Sequence, residues 1–200
     1  MQPARPRASQ VKGFTLTELM VTLTVLSVVL AVGIPSFKNL LARNRVSGQA
    51  NEFIGALNLA RSEAVRRGQP VTLRSAAGTE DFGTGWEIFP DADTDGTKAS
   101  PATDADGSVI RVSAASAQRV WIERVLRSGT APAFVYSPAD SSTSGRMYLT
   151  FTSVGGNQVG NAIFFRVCDK SDSSVTGRLM EVSTTGRISV VDPDVACPSS

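Results

Sequence analysis

The residue whose position most needs a chemical reason is Glu18. From Phe14 to Ile34 the chain holds 21 residues, and Glu18 is the one charged residue among them. A carboxylate at the centre of a membrane-spanning segment costs about 2.5–3.5 kcal/mol and less near the interface, so a retained one has a partner or a function unless it snorkels to the surface. The chemistry open to it is electrostatic docking. Buried in a low-dielectric setting, it would need a partner of opposite charge.

Catalytic chemistry has few resources here. The chain contains no histidine, which excludes Ser-His-Asp and Cys-His nucleophile activation and histidine-ligated metal sites. No phosphate-binding loop or nucleophile site appears, and neither an enzyme nor a bound cofactor is expected. Cys168 and Cys197 are the two cysteines. They are too few for a zinc site and too far apart for a redox motif, so a structural disulfide in an oxidising compartment is the reading, with two reduced core thiols as the alternative. The bridge would close a loop of about 30 residues and contribute about 3–4 kcal/mol on the chain-entropy view.

Two further patterns invite a ligand. Asp91, Asp93, Asp95 and Gly96 repeat the first half of a calcium loop, but Ala102 stands where the twelfth-position acid belongs and no paired helices flank it. The segment reads as an exposed acidic turn, and no metal is expected. Arg146, Arg178 and Arg187 each follow a glycine, where a turn could present them to a phosphate backbone. Solvated turn residues are the default for them.

The elements that must position these residues follow from composition. Arg5, Arg7 and Lys12 precede the apolar run and no acid does, the charge layout of an export signal held on its cytoplasmic side. Without those three, the 20 basic side chains fall to 17 against 18 acidic ones, so no global attraction to nucleic acid is implied. Gly33-Ile34-Pro35 ends the run, and a kink or local unwinding near Ala31–Pro35 is expected. Beyond it Val46, Ala50, Phe53, Leu57, Ala60 and Ala64 recur at helical spacing and predict one buried face. Arg61, Arg66 and Arg67 lie near the helix end, where cations meet its dipole. Gly68-Gln69-Pro70 stops the helix, giving about 54 residues from Phe14 to Arg67 and about 80 Å if straight.

After Pro70 come short runs rich in β-formers: Val71–Arg74, Gly85–Phe89, Val109–Val112, Val120–Val125, Phe134–Tyr136, Met147–Phe151, Ile163–Cys168, Arg178–Val182 and Ile188–Val191. Turn residues separate most of them. The fold class is α+β, a long N-terminal helix packed on a mostly antiparallel sheet domain.

Lys12-Gly13-Phe14-Thr15-Leu16-Thr17-Glu18-Leu19-Met20 resembles the class III signal of type IV prepilins and type II secretion pseudopilins. The resemblance implies a pilin fold, cleavage by a prepilin peptidase between Gly13 and Phe14, methylation of Phe14, and an assembly role for Glu18. It divides the chain into a leader (1–13), a transmembrane and filament-core helix (14–35), an amphipathic half-helix (36–68) and a β-rich domain (69–200). The helix text at 60–67, Gly85-Trp86-Glu87-Ile88-Phe89 with its Asp-rich sequel, and the late Gly-Arg-Ile are similar to the GspH/FimT family.

That family implies a minor type IV pilin of the initiating or tip complex, held by one helix in the inner membrane with its domain in the periplasm. Its partners would be other minor and major pilins or pseudopilins. A secretion pseudopilin is the first alternative and a DNA-binding pilin for transformation the second. DNA-binding members carry Gly-Arg-x-Arg, whereas this chain reads Gly186-Arg187-Ile188-Ser189 and lacks the second arginine.

Overall fold

The structure is a computed structural model that describes residues 13–79, 81–94, 96–97, 109–113, 120–128, 135–138, 148–171 and 175–197. Among the described residues one α-helix, α1 (Leu16–Arg67, 52 residues), precedes nine strands, with a short 3-10 turn at Phe82–Thr84. The chain divides after Leu40 into two compact units, each described by itself.

In the first unit α1 starts at Leu16 because Thr15 caps it. Thr15 Oγ1 accepts from the Glu18 amide at 3.2 Å, and the Thr15 carbonyl accepts from the Leu19 amide. Thr15-x-x-Glu18 is the sequence form of a capping box. Three hydroxyls along the apolar stretch turn back onto main-chain carbonyls: Thr22 to Leu19, Thr24 to Met20 and Ser27 to Leu23. Each polar side chain is thereby satisfied within its own helix, which suits an apolar surrounding. The helix is long and apolar enough to cross a membrane by length and composition. It runs unbroken through Pro35, so the expected local unwinding does not occur. The lost donor at proline removes one hydrogen bond without ending the ladder.

In the second unit one stripe of α1 is buried, beginning at Ala42. Val46, Ala50, Phe53, Leu57, Ala60 and Ala64 are all at most 1% exposed, as their spacing requires. Ala50, Ala56, Ala60 and Ala64 on this face share one core cluster with residues of two sheets. The first sheet holds β1 (Val71–Ser75), β2 (Trp86–Pro90), β3 (Arg111–Ser113) and β6 (Tyr148–Phe151) in the order β3-β2-β1-β6. The second holds β4 (Val120–Ser128), β5 (Val135–Pro138), β7 (Ile163–Asp169), β8 (Gly177–Val182) and β9 (Ile188–Val195) in the order β5-β4-β7-β8-β9. All pairings between these strands are antiparallel.

Phe53 is the hub of the core. Its ring meets Phe82, Trp86 and Phe165 at centroid distances of 5.5, 5.3 and 5.1 Å, so a single helical side chain joins both sheets through tilted and edge-to-face contacts. Pro193 lies in β9, at the edge of its sheet, where a missing amide is tolerated. Between β4 and β7 the opposed pair Glu123 and Arg166 is buried, with Arg166 Nε donating to Glu123 Oε1 at 2.7 Å. Pairing is what makes burial of these charges tolerable.

Candidate functional site

At the start of α1 the geometry is simple. Phe14 is 86% exposed and Gly13 is exposed beside it. The backbone amide of Glu18 is taken by the Thr15 cap, while its carboxylate is exposed and makes no ion pair or hydrogen bond with a described residue. Every described side chain from Gly13 to Leu41 is exposed. A carboxylate on an exposed apolar helix is costly in an apolar surrounding unless it finds a partner. Thr15 fixes the start of the helix beside Glu18. Its signal was present as the capping-box spacing.

The two described glycine-arginine pairs lie apart. Arg178 is near the start of β8 and Arg187 is in the turn after β8, so four residues of strand and part of a turn separate them, more than about 13 Å along the strand. Arg146 lies outside the described residues. Gly186 has φ +75°, and a Cβ there would come within 1.9 Å of the Gly155 carbonyl oxygen. This glycine is explained by close packing of two loops rather than by display of Arg187.

The cluster at the end of α1 also has internal employment. Arg66 Nη2 pairs with Glu63 at 2.5 Å and Arg67 Nε with the same carboxylate at 3.0 Å. Those hydrogen bonds, that of Arg66 first, hold the Glu63 carboxyl below its ordinary range. Arg61 reaches away from the helix end and donates to the carbonyls of Gly155 and Thr185. The dipole reading is therefore corrected for Arg61, whose place is set by tertiary loops.

Cys168 and Cys197 are bonded to each other. Gly177 lies against the bridge, and a Cβ there would fall 2.7 and 2.8 Å from the two sulfurs. The bond ties the end of β7 to the segment after β9.

The acidic turn needs a correction. Asp91 is fully buried, although Ala92 and Asp93 are exposed. Asp91 Oδ2 accepts from Thr72 Oγ1 at 2.5 Å and from the Gly96 amide at 3.0 Å. Burial pushes its carboxyl above the usual range, and the nearby Asp93 adds to this against the bonds from Thr72 and Gly96.

Residues 49–186 match the family described as Type II transport protein GspH, and residues 9–34 match the prokaryotic N-terminal methylation motif. A fimbrial protein of Pseudomonas aeruginosa is 26% identical over 151 residues, covering 66% of this chain and 97% of that protein. The crystal structure of the type IV minor pilin FimU of Pseudomonas aeruginosa has a similar fold, with a TM-score of 0.55 at 22% identity, covering 78% of this chain and 96% of FimU. A second crystal form of FimU gives a TM-score of 0.53 at 21% identity, covering 76% of this chain and 98% of that one. The chain has the pilin fold and, with more than half its length matched, belongs to the GspH family and carries the N-terminal methylation motif.

Proposed function

We propose that this protein is a minor type IV pilin that works in pilus assembly with other pilins, as a non-catalytic subunit of the initiating or tip complex. The observation that carries the reading is the Glu18 carboxylate, without a partner among the described residues, on the part of α1 before Ala42, whose described apolar side chains are all exposed. In this mechanism a prepilin peptidase cleaves between Gly13 and Phe14 and the new amine is methylated. The apolar helix holds the subunit in the inner membrane with its domain in the periplasm. On extraction into the filament the helix becomes part of the bundle, and Glu18 neutralises the N-terminal amine of a neighbour.

The similarity to a fimbrial protein over nearly its whole length supports a pilus over other assemblies. A type II secretion pseudopilin is the second reading, favoured by the family's description. Deleting the chain separates them: the pilus reading expects loss of surface filaments with protein secretion intact, and the reverse pattern would assign it to secretion. The DNA-binding alternative gains nothing from the placement of Arg178 and Arg187 in separate parts of the β8–β9 hairpin.

A further inference from the structure

The β8–β9 hairpin is irregular at the start of β8. Gly177 pairs with Val195 and Leu179 with Asp192, so β9 places two residues, Pro193 and Asp194, against the single Arg178 of β8. Such a bulge bends its strand and re-aims side chains, and bulges gather beside binding sites. Alternation along β8 puts Arg178 on the face of Met180 and Val182, and those two share the core with Val46 of α1. Arg178 therefore extends from the rim of the core face, on the side of the helix.

There it meets a cavity of about 200 Å³ lined also by Arg43, Val46 and Ser47 of α1 and by Thr176, Pro193 and Asp194. Arg43, Val46 and Ser47 are three and four residues apart, which places them on one side of the helix. Elsewhere in this unit the half-buried and buried guanidiniums are engaged: Arg45 with Asp169, Arg61 with two carbonyls, Arg67 with Glu63, Arg74 with Glu87 and Arg166 with Glu123. Half-buried Arg178 and exposed Arg43 make no hydrogen bond or ion pair with a described residue, and neither does the Ser47 hydroxyl. Asp194, the carboxylate among the described lining residues, pairs with neither arginine; its Oδ1 accepts from Thr176 Oγ1 at 2.9 Å. Two cations against one anion leave the described lining positive. A guanidinium partly withdrawn from water without an acceptor is costly, and an anion in the cavity would remove that cost.

We propose that this cavity is a phosphate site, in which the guanidiniums of Arg43 and Arg178 hold the oxygens of one phosphate group and the Ser47 hydroxyl donates a further bond. Guanidinium forks suit phosphate oxygens because their N–H donors are parallel and fixed. The group has two sources, a phospholipid headgroup and a free phosphate. Exposed Phe37, Leu40 and Leu41 come just before Arg43 on the same helix, and an arginine following an apolar stretch is suited to headgroup level.

The test uses the full chain in an uncharged detergent at constant ionic strength, so that general screening is matched. Calorimetric titrations with inorganic phosphate and with soluble dihexanoyl phosphatidylglycerol form two arms. Binding in either arm supports the site and identifies the source: lipid alone for a headgroup, phosphate alone for the free ion, both for a site that accepts the group from either. Arg178→Gln is expected to weaken binding about ten-fold, and Arg43→Gln similarly, since each removes a charge-assisted bond. Neither arginine has a described partner to lose, so both variants should unfold in urea at the parental midpoint. Arg43→Gln, at an exposed position, decides the matter should the first variant fold poorly. No binding in either arm would overturn the proposal, as would parental affinity in a folded variant or an equal response to acetate. Binding confined to a DNA duplex would overturn it too and give the arginines to nucleic acid. None of these outcomes depends on whether the protein serves a pilus.

Discussion

Arg61 Nε donates to the main-chain carbonyl of Gly155 at 2.9 Å, while its Nη2 donates to that of Thr185 at 3.1 Å. One helical guanidinium therefore closes both the loop after β6 and the β8–β9 turn onto α1. Arg61→Ala is expected to cost about 1–3 kcal/mol, since it strands two carbonyls of charge-assisted bonds. Arg61→Lys should recover less than half of that, because a single ammonium does not reproduce the planar fork. Gly186→Ala should cost more than Arg61→Ala, because its Cβ would meet the Gly155 oxygen at 1.9 Å. Urea unfolding of the three variants measures all of this.

The bond between Cys168 and Cys197 closes its loop across β8 and β9. Reduction, or replacement of both residues by alanine, is expected to cost about 3–4 kcal/mol. Gly177→Ala should have a chemical signature as well, because its Cβ would press on both sulfurs. Thiol titration of that variant under native conditions should find free cysteine, where the parent chain shows none.

Glu63 supplies a pH signature. Its ordinary value is 4.5, and in the folded chain the bonds from Arg66 and Arg67 place it lower. A depressed carboxylate stabilises the fold above the unfolded value, and that contribution disappears as pH falls through the folded one. At neutral pH Glu63→Gln should lose up to about 1 kcal/mol for two helical ion pairs. Below pH 4.5 the difference between the variant and the parent should shrink toward zero. A difference that stays constant from neutral to acid pH would contradict the assigned pairing.

Much of the fold was legible because the signals are local. Val46 through Ala64 show the helical period, and the nine β-rich runs became nine strands with shifted ends. β4 extends past Val125 to Ser128 and β9 past Val191 to Val195, since pairing with a neighbour rather than propensity decides where a strand stops. The division into two sheets was not legible. It depends on β6 returning beside β1 and β7 beside β4, pairings that no local pattern encodes. For the same reason Arg61 read as a dipole partner and Asp91 as exposed: their true neighbours, Gly155, Thr185 and Thr72, are distant in sequence. Glu18 was legible, because one charge in an apolar helix is conspicuous without any tertiary structure.

Glu18 also provides the most direct test of the filament role. In cells whose own copy is replaced by Glu18→Ala, the protein should remain in the inner-membrane fraction at parental level, because the apolar helix is untouched. Immunoblotting of sheared surface filaments should then find it depleted at least ten-fold relative to the parent chain, with Glu18→Asp retaining part of the signal. Parental amounts of Glu18→Ala in sheared filaments would contradict the role assigned to this carboxylate.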